Sequence, residues 1–189
     1  MPKIVDRDLY RQQLLQQSFE FFAEIGYGNI TMRQLAEKLG VSTGTLYHYF
    51  PSKQAMFLQL VAEQTQADIR NFMTEVAEAP LGTRSRIKAI LDFVDTHRDY
   101  FTKQAIVTLD YCQQHRRKDP QSASLFELAD REYMLAASEY LEIDDPAIVG
   151  LILNFINGLI LGNIYQSKFS TWEVQSELFA TAIAKLIDR

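Results

Sequence analysis

Apolar residues recur at intervals of three and four along nearly the whole chain, and this spacing constrains the fold more than any other feature. In the first such stretch, Leu15, Phe19 and Phe22 fall on one face of a helix. No stretch alternates apolar and polar residues, and 8 Gly and 5 Pro among 189 residues are few for a protein built from tight turns. The sequence therefore predicts an all-α protein of about nine helices.

Residues 31–50 have the layout of a helix-turn-helix unit. Thr31 and Gln34 are spaced as a capping box that opens a short helix. Gly40 then breaks this helix, and Ser42 can cap a second short one. Helix-turn-helix proteins lay their second helix in the major groove of DNA. We therefore expect this region to bind DNA.

The second short helix offers side chains that suit contacts with DNA. Its hydroxyl, phenol and imidazole groups can reach phosphates or base edges, and its glycine lets the backbone approach the duplex. Arg33 precedes this helix and could read guanine, while Lys53 opens the next helix, where backbone amides also favour a phosphate. From these residue types the predicted DNA contacts are Arg33, Thr43, Gly44, Thr45, Tyr47, His48, Tyr49 and Lys53.

The same part of the chain resembles the DNA-binding head of the TetR family of transcriptional regulators. The resemblance rests on Phe22–Tyr27, Thr31–Ala36 and Gly40–Lys53, and it runs over residues 10–60 without a gap. Its most specific part is the ending Leu-Tyr-x-x-Phe-x-x-Lys after Gly-Val-Ser. It implies a homodimer that binds a palindromic double-stranded DNA operator, most often as a repressor, and that releases the operator when a small effector enters the C-terminal bundle.

The resemblance also implies roles for individual residues. His48 lies at a position that varies in the family. The other positions divide into base contacts by Arg33, Thr43 and Gly44 and phosphate contacts by Thr31, Thr45, Tyr47, Tyr49 and Lys53. The expected organisation is a helix-turn-helix DNA-binding domain over residues 1–52 and a helical ligand-binding and dimerisation domain over residues 53–189.

The charge and the cysteine content indicate which partners and which cellular compartment are expected for the protein. The net charge of −5 argues against indiscriminate binding to nucleic acid or to anionic membranes. Residues 1–60 nevertheless carry one more basic than acidic residue, which fits a head that meets a polyanion, although random surface variation would explain it equally well. A single cysteine, Cys112, and no visible signal peptide point to a reducing compartment, the cytoplasm.

The helices after the head carry more apolar faces than one packing seam needs. Such faces are more often plain core than a pocket. If a pocket exists, no cluster of Lys or Arg faces it, so a neutral or apolar ligand is favoured over a strongly anionic one. The alternative is a constitutive regulator without an effector. The predicted pocket residues are Phe72, Phe93, His97, Phe101, Cys112, Met134 and Asn154.

The segment Ala147–Tyr165 has no charged residue, and its length alone would allow a membrane span. Its three asparagines are expensive in hydrocarbon, so a bundle helix is the favoured interpretation and no membrane partner is predicted. We expect Leu151, Phe155 and Leu159 to fill the core of the subunit itself. Small residues every four positions, followed by the last helix, predict a dimer interface of Gly150, Asn154, Gly158, Gly162, Trp172 and Phe179.

No residues in the sequence require catalysis, a cofactor or a metal. Cys112 and His115 lie three apart on one helix, but two ligands are too few for a metal site. A core thiol and a surface imidazole are the expected environments of these two residues. Because no nucleophile–base pair or phosphate-cradling loop is present either, we expect a protein that is not an enzyme and needs no cofactor.

Overall fold

The computed structural model describes residues 6–76, 81–115, 120–165 and 171–187, with side chains from residue 123 onward in the third range. Within these ranges the chain forms nine α-helices and no strand, which confirms the predicted all-α class. They are α1 (Arg7–Ile25), α2 (Met32–Lys38), α3 (Thr43–Tyr49), α4 (Lys53–Glu75), α5 (Thr83–Thr96), α6 (Arg98–Gln114), α7 (Pro120–Leu141), α8 (Pro146–Ile164) and α9 (Trp172–Ile187).

Side-chain caps begin the short helices where the sequence predicted them. The capping box of α2 is complete: the backbone N–H of Gln34 donates to Oγ1 of Thr31 at 3.3 Å, and that of Thr31 donates to Oε1 of Gln34 at 2.9 Å. Oγ of Ser42 accepts from the backbone N–H of Thr45 at 2.9 Å and begins α3. Gly40 between them has φ +68°, a left-handed conformation that glycine adopts without strain.

The chain divides into two compact units. The first combines the chain up to Gln66 with Ile106–Ala129, and the second combines Ala67–Ala105 with Asp130–Arg189. This division differs from the boundary that we predicted after residue 52. The first turns of α4 add buried side chains to the core of the first unit, and Tyr111 of α6 stacks on Phe57 of α4 at 4.6 Å between ring centroids.

The core of the second unit is built from α5, α7, α8 and α9. In α8 the fully buried or nearly buried side chains are Val149, Ile152, Ile156 and Ile160. Phe155 and Leu159 pack against the margin of this core, as expected, whereas Leu151 is 48% exposed, so its predicted core position was wrong. A helix that is apolar on every face carries no pattern that fixes which face is buried.

Within the described residues, α8 is the one helix long and apolar enough to cross a membrane by length and composition, with a mean hydropathy of 1.9. The core helix of a soluble protein passes the same test, so this property is weak evidence for a membrane span. The residues of α8 that face α5 and α9 belong to the core described above.

Candidate DNA interface and effector cavity

The helix-turn-helix unit buries one face of α2 and α3 and leaves the other in solvent. Leu35, Ala36 and Leu46 are almost completely buried and hold the two helices to the head. Tyr47 is 50% exposed on the opposite side of α3, where Gly44 and His48 are exposed as well. The exposed face of α3 is therefore free to enter a groove, as the sequence predicted.

The remaining predicted DNA contacts of the head are accessible to different degrees. Thr31 and Arg33 are exposed, while Thr43, Thr45 and Tyr49 are half-buried. The hydroxyl of Thr31 already donates to Oε1 of Gln34 at 2.8 Å, and that of Thr45 lies 2.8 Å from Oγ of Ser42. These two threonines thus serve helix capping as well as any contact with DNA.

Gly44 is not required by the packing of the head itself. A Cβ built at this position would lie 3.7 Å from Oγ of Ser42, an ordinary van der Waals contact. Its φ is not in the left-handed region. The packing of the head therefore gives no reason for a glycine at this position, and the predicted approach of a duplex to Gly44 stays a prediction.

Arg7 is a candidate DNA contact that our sequence analysis missed. Its Nη2 atom donates to Nε2 of His48 at 2.7 Å, and its guanidinium carbon lies 6.0 Å from the ring centroid of Tyr49. Tyr10, one turn further along α1, contacts the same Tyr49 ring edge-on at 5.6 Å. A charged guanidinium therefore stands beside the exposed face of α3.

The Lys53 side chain faces the inside of the head. Its Nζ atom donates to the backbone oxygens of Tyr27 at 2.6 Å and Ile30 at 2.9 Å, and it lies 4.3 Å from the ring centroid of Tyr27. Burial lowers the pKa of Lys53, and the nearby Asp110 carboxylate opposes this shift. The phosphate contact stays a prediction, because two of the three N–H donors of the ammonium group are already taken by these carbonyl oxygens.

The second unit contains a cavity of about 480 Å³. Five of the seven predicted pocket residues line it: Phe72, Phe93, Phe101, Met134 and Asn154. The other two do not. His97 lies outside the lining, where its Nε2 is 3.0 Å from Oε1 of Glu75, and Cys112 belongs to the first unit.

The sequence analysis missed Asp68, which is the most buried polar side chain of the cavity wall. It is 5% exposed, and its carboxylate accepts hydrogen bonds from Tyr100 Oη at 2.8 Å, Tyr133 Oη at 2.7 Å and Gln104 Nε2 at 3.0 Å. Burial raises the pKa of Asp68, and the three hydrogen bonds oppose that shift. A single Asp in a polar stretch of α4 gives no sequence signal of burial.

Cys112 and His115 have environments opposite to those predicted. Cys112 is exposed, whereas the His115 ring stacks on Tyr111 at 4.2 Å between ring centroids and contacts Tyr27 at 5.3 Å. The helix carries its aromatic seam through Tyr111 rather than through its neighbour Cys112. The buried face of α6 is turned by one residue from the face that we predicted, and this difference accounts for both errors.

The six residues predicted for the dimer interface lie in different surroundings within the second unit, and the interface itself stays a prediction. Gly150 and Asn154 line the cavity, and Trp172 donates from Nε1 to the backbone oxygen of Leu91 at 3.3 Å within the same unit. Phe179 stacks on Phe155 at 3.8 Å, and Gly162 is half-buried. Gly150 and Gly158 both have an open face, with nothing within 4 Å of an added Cβ.

The all-α fold and the exposed face of α3 define a helix-turn-helix DNA-binding protein. Comparison with known proteins identifies the family to which the helix-turn-helix region is similar. The sequence model of the tetR family of bacterial regulatory proteins matches residues 14–60, so this part of the chain is a DNA-binding head of that family. The match falls on the head and includes every predicted DNA contact.

Named relatives are similar to part of the chain, and solved structures are similar to its fold. An HTH-type transcriptional repressor of Mycobacterium tuberculosis is 38% identical over 68 residues, which make up 35% of this chain and 36% of that relative. FadR of Bacillus subtilis, in complex with stearoyl-CoA, has a TM-score of 0.72 at 18% identity and covers 93% of this chain and 98% of its own. A transcriptional regulator from Saccharomonospora viridis, in complex with choline, has a TM-score of 0.72 at 16% identity and covers 97% of both chains.

These comparisons reach different levels of detail. The chain spans little more than a third of the curated relative described above. The two solved structures match over almost the full length, but their low sequence identity supports the fold alone. The comparisons therefore show a head of the tetR family over residues 14–60 and, for the rest of the described chain, the fold alone.

Proposed function

We propose that the chain is a ligand-responsive transcriptional repressor that binds a palindromic operator as a homodimer and is released by a small apolar effector. The observation that carries this proposal is the presence, in one chain, of an exposed helix-turn-helix face and a cavity of about 480 Å³. A cavity of this size suits a small-molecule ligand. A regulator of this kind acts in the cytoplasm, and no catalytic role is proposed for it.

On DNA, α3 would lie in the major groove with Thr43 and Gly44 toward the base edges. Tyr47 would reach phosphate oxygens, since its phenol group is exposed on the outer side of α3. Arg33 is exposed near the start of α2 and would read a guanine by a bidentate contact. Arg33→Ala should therefore relax the base preference at one operator position, at a cost there of about 1–3 kcal/mol.

The homodimer would form through α8 and α9, which contact each other through the stacked rings of Phe155 and Phe179. Leu151 on α8 and Leu178 on α9 are 48% and 66% exposed, and Gly158 has an open face. Large apolar side chains and a smooth helix surface are what a partner helix would cover. A two-fold dimer of this kind would present two α3 helices about 34–36 Å apart, one turn of DNA.

The effector would occupy the cavity of the second unit. Ligands bound to the two structural neighbours, stearoyl-CoA and choline, support a ligand-binding role for this fold in the present chain. For release to follow, the effector must bind the DNA-incompetent state of the dimer more tightly than the DNA-competent one. Operator DNA must then weaken effector binding by the same factor.

A thermal-shift screen with and without operator DNA tests this coupling. Operator fragments recovered from random-sequence DNA supply the reagent, and apolar compounds are screened against the full chain. We expect at least one compound to raise the melting temperature of the free protein and to bind less tightly when the operator is present. A compound that binds equally well in both conditions would contradict the coupling and favour the constitutive regulator.

A further inference from the structure

The cavity wall combines one buried carboxylate with aromatic rings. Phe72, Phe93 and Phe101 form a continuous edge-to-face series, with ring centroids 5.3 Å and 6.0 Å apart. Asp68 and Tyr133 line the same cavity. The faces of aromatic rings attract cations, and the attraction grows when water is excluded.

The hydrogen bonds around Asp68 do not neutralise its charge. All three partners are neutral groups, namely the hydroxyls of Tyr100 and Tyr133 and the amide of Gln104. The amide nitrogen of Gln104 can only donate, so an oxygen of the Asp68 carboxyl group accepts this hydrogen bond. The imidazole of His97 is engaged by the Glu75 carboxylate.

The rest of the lining adds a second acid and no base. Asp130 lines the cavity as well, and among the described residues of the wall there is no Lys, Arg or His. A ligand with a carboxylate or phosphate would bring another negative charge into these largely apolar surroundings, where like charges repel strongly. A neutral ligand would add no positive charge beside Asp68, for which the nearby basic group is the imidazole of His97.

We propose that the cavity takes a cation with apolar substituents, of the quaternary ammonium or lipophilic amine class, with its charge near Asp68 and its substituents against the phenylalanine rings. This inference rests on the proposed effector function and names the ligand class of the same site. It replaces the neutral ligand that the sequence analysis favoured, because that analysis did not place a carboxylate in the wall.

The test compares three probes that share one alkyl chain: decyltrimethylammonium, decan-1-ol and decanoate, each below its micellar concentration. Their dissociation constants for the full-length protein are measured by isothermal titration calorimetry. We expect the cation to bind about tenfold more tightly than the alcohol, and decanoate to bind more weakly than both. A cation that binds no more tightly than the alcohol would overturn the proposal.

Variants separate the charge of Asp68 from its structural hydrogen bonds. Asp68→Asn should weaken the cation about tenfold or more and leave the alcohol within about twofold. Asp99→Asn, which removes the same charge from an exposed position of α6, should change neither. A folded Asp68→Asn protein that still prefers the cation would overturn the proposal.

A second variant covers the case in which Asp68→Asn does not fold. Phe101→Leu keeps an apolar side chain but removes a ring, so it should weaken the cation more than the alcohol. Equal weakening of both probes would count against the proposal. Operator binding is measured in parallel with each probe. If the cation binds without displacing operator DNA, the proposed function is contradicted. If decanol or decanoate displaces the operator in preference to the cation, only the proposed ligand class is contradicted.

Discussion

The guanidinium of Arg7 donates a hydrogen bond of 2.7 Å to Nε2 of His48, and this contact joins the first turn of α1 to the exposed face of α3. Because a guanidinium has no acceptor, the imidazole must accept through Nε2, which requires its neutral form. The contact holds a permanent positive charge at the edge of the surface that we propose for DNA. Arg7 is therefore expected to contribute to operator binding although it lies outside the helix-turn-helix unit.

Arg7→Ala should weaken binding to all DNA sequences to a similar extent. A phosphate contact carries no base information, so the loss should appear as a decrease of about 1 in the slope of log affinity against log salt. Fluorescence anisotropy with specific and random duplexes at several salt concentrations measures both quantities. Arg70→Ala removes an exposed arginine from the second unit and should leave the slope unchanged. A loss confined to one base position would show that Arg7 reads sequence instead.

Gly44→Ala should weaken DNA binding without harming the fold. The added methyl group would be in ordinary contact with Ser42, and alanine favours a helix by up to about 1 kcal/mol over glycine. The free energy of unfolding should therefore stay the same or rise, while operator affinity falls because the methyl group keeps the backbone of α3 away from the duplex. Chemical denaturation and anisotropy on the same preparation check this. Unchanged operator affinity would mean that α3 does not approach DNA at Gly44.

The free energy of unfolding should change with pH as the carboxyl group of Asp68 titrates. Burial raises the pKa of this carboxyl group in the folded protein above its ordinary value of 3.8. The folded state therefore holds a proton that the unfolded state has lost, so the contribution of Asp68 to stability is fully present below 3.8 and is lost as pH rises through the raised pKa.

Asp68→Asn isolates this effect because the amide does not titrate. The free energy of unfolding of the wild-type protein minus that of the variant should fall as pH rises from 3.8 through the raised pKa of Asp68. Urea denaturation of both proteins across that range measures the difference. A difference that grows with pH would show that the hydrogen bonds from Tyr100, Gln104 and Tyr133 outweigh burial and lower the pKa instead.

Local sequence signals were enough to predict the helix-turn-helix unit. The capping box of Thr31 and Gln34, the left-handed turn at Gly40 and the cap at Ser42 all act within a few residues. Their geometry depends little on distant parts of the chain. For this reason the bounds of α2 and α3 could be predicted from the sequence, whereas the DNA contacts of single residues stay predictions.

The parts that the sequence did not predict depend on contacts between distant residues. Arg7 and His48 are 41 positions apart, and Asp68 and Tyr133 are 65 apart. Neither pair has a pattern of spacing that would show the contact. On α8 the difficulty was different: apolar residues lie on every face, so the periodicity could not decide that Leu151 would be exposed.

Gly158→Leu should split the proposed dimer while each subunit stays folded. Nothing lies within 4 Å of a Cβ at this position, so the larger side chain has room within the subunit but would collide with a partner helix. Sedimentation velocity at micromolar concentration should show a dimer for the wild-type protein and a monomer for the variant. Ala123→Leu, which places the same side chain at an exposed position of α7, should remain dimeric. A wild-type monomer under these conditions would refute the interface.

Selection of bound DNA from a random-sequence pool tests the central claim most directly. The purified full-length protein is incubated with the pool at physiological salt, and bound duplexes are amplified and sequenced over several rounds. The account predicts an inverted repeat whose half-sites are centred about one helical turn, or a multiple of it, apart. A pool that shows no enriched sequence, or enriches a single motif with no inverted copy, would contradict operator recognition by a two-fold pair of α3 helices.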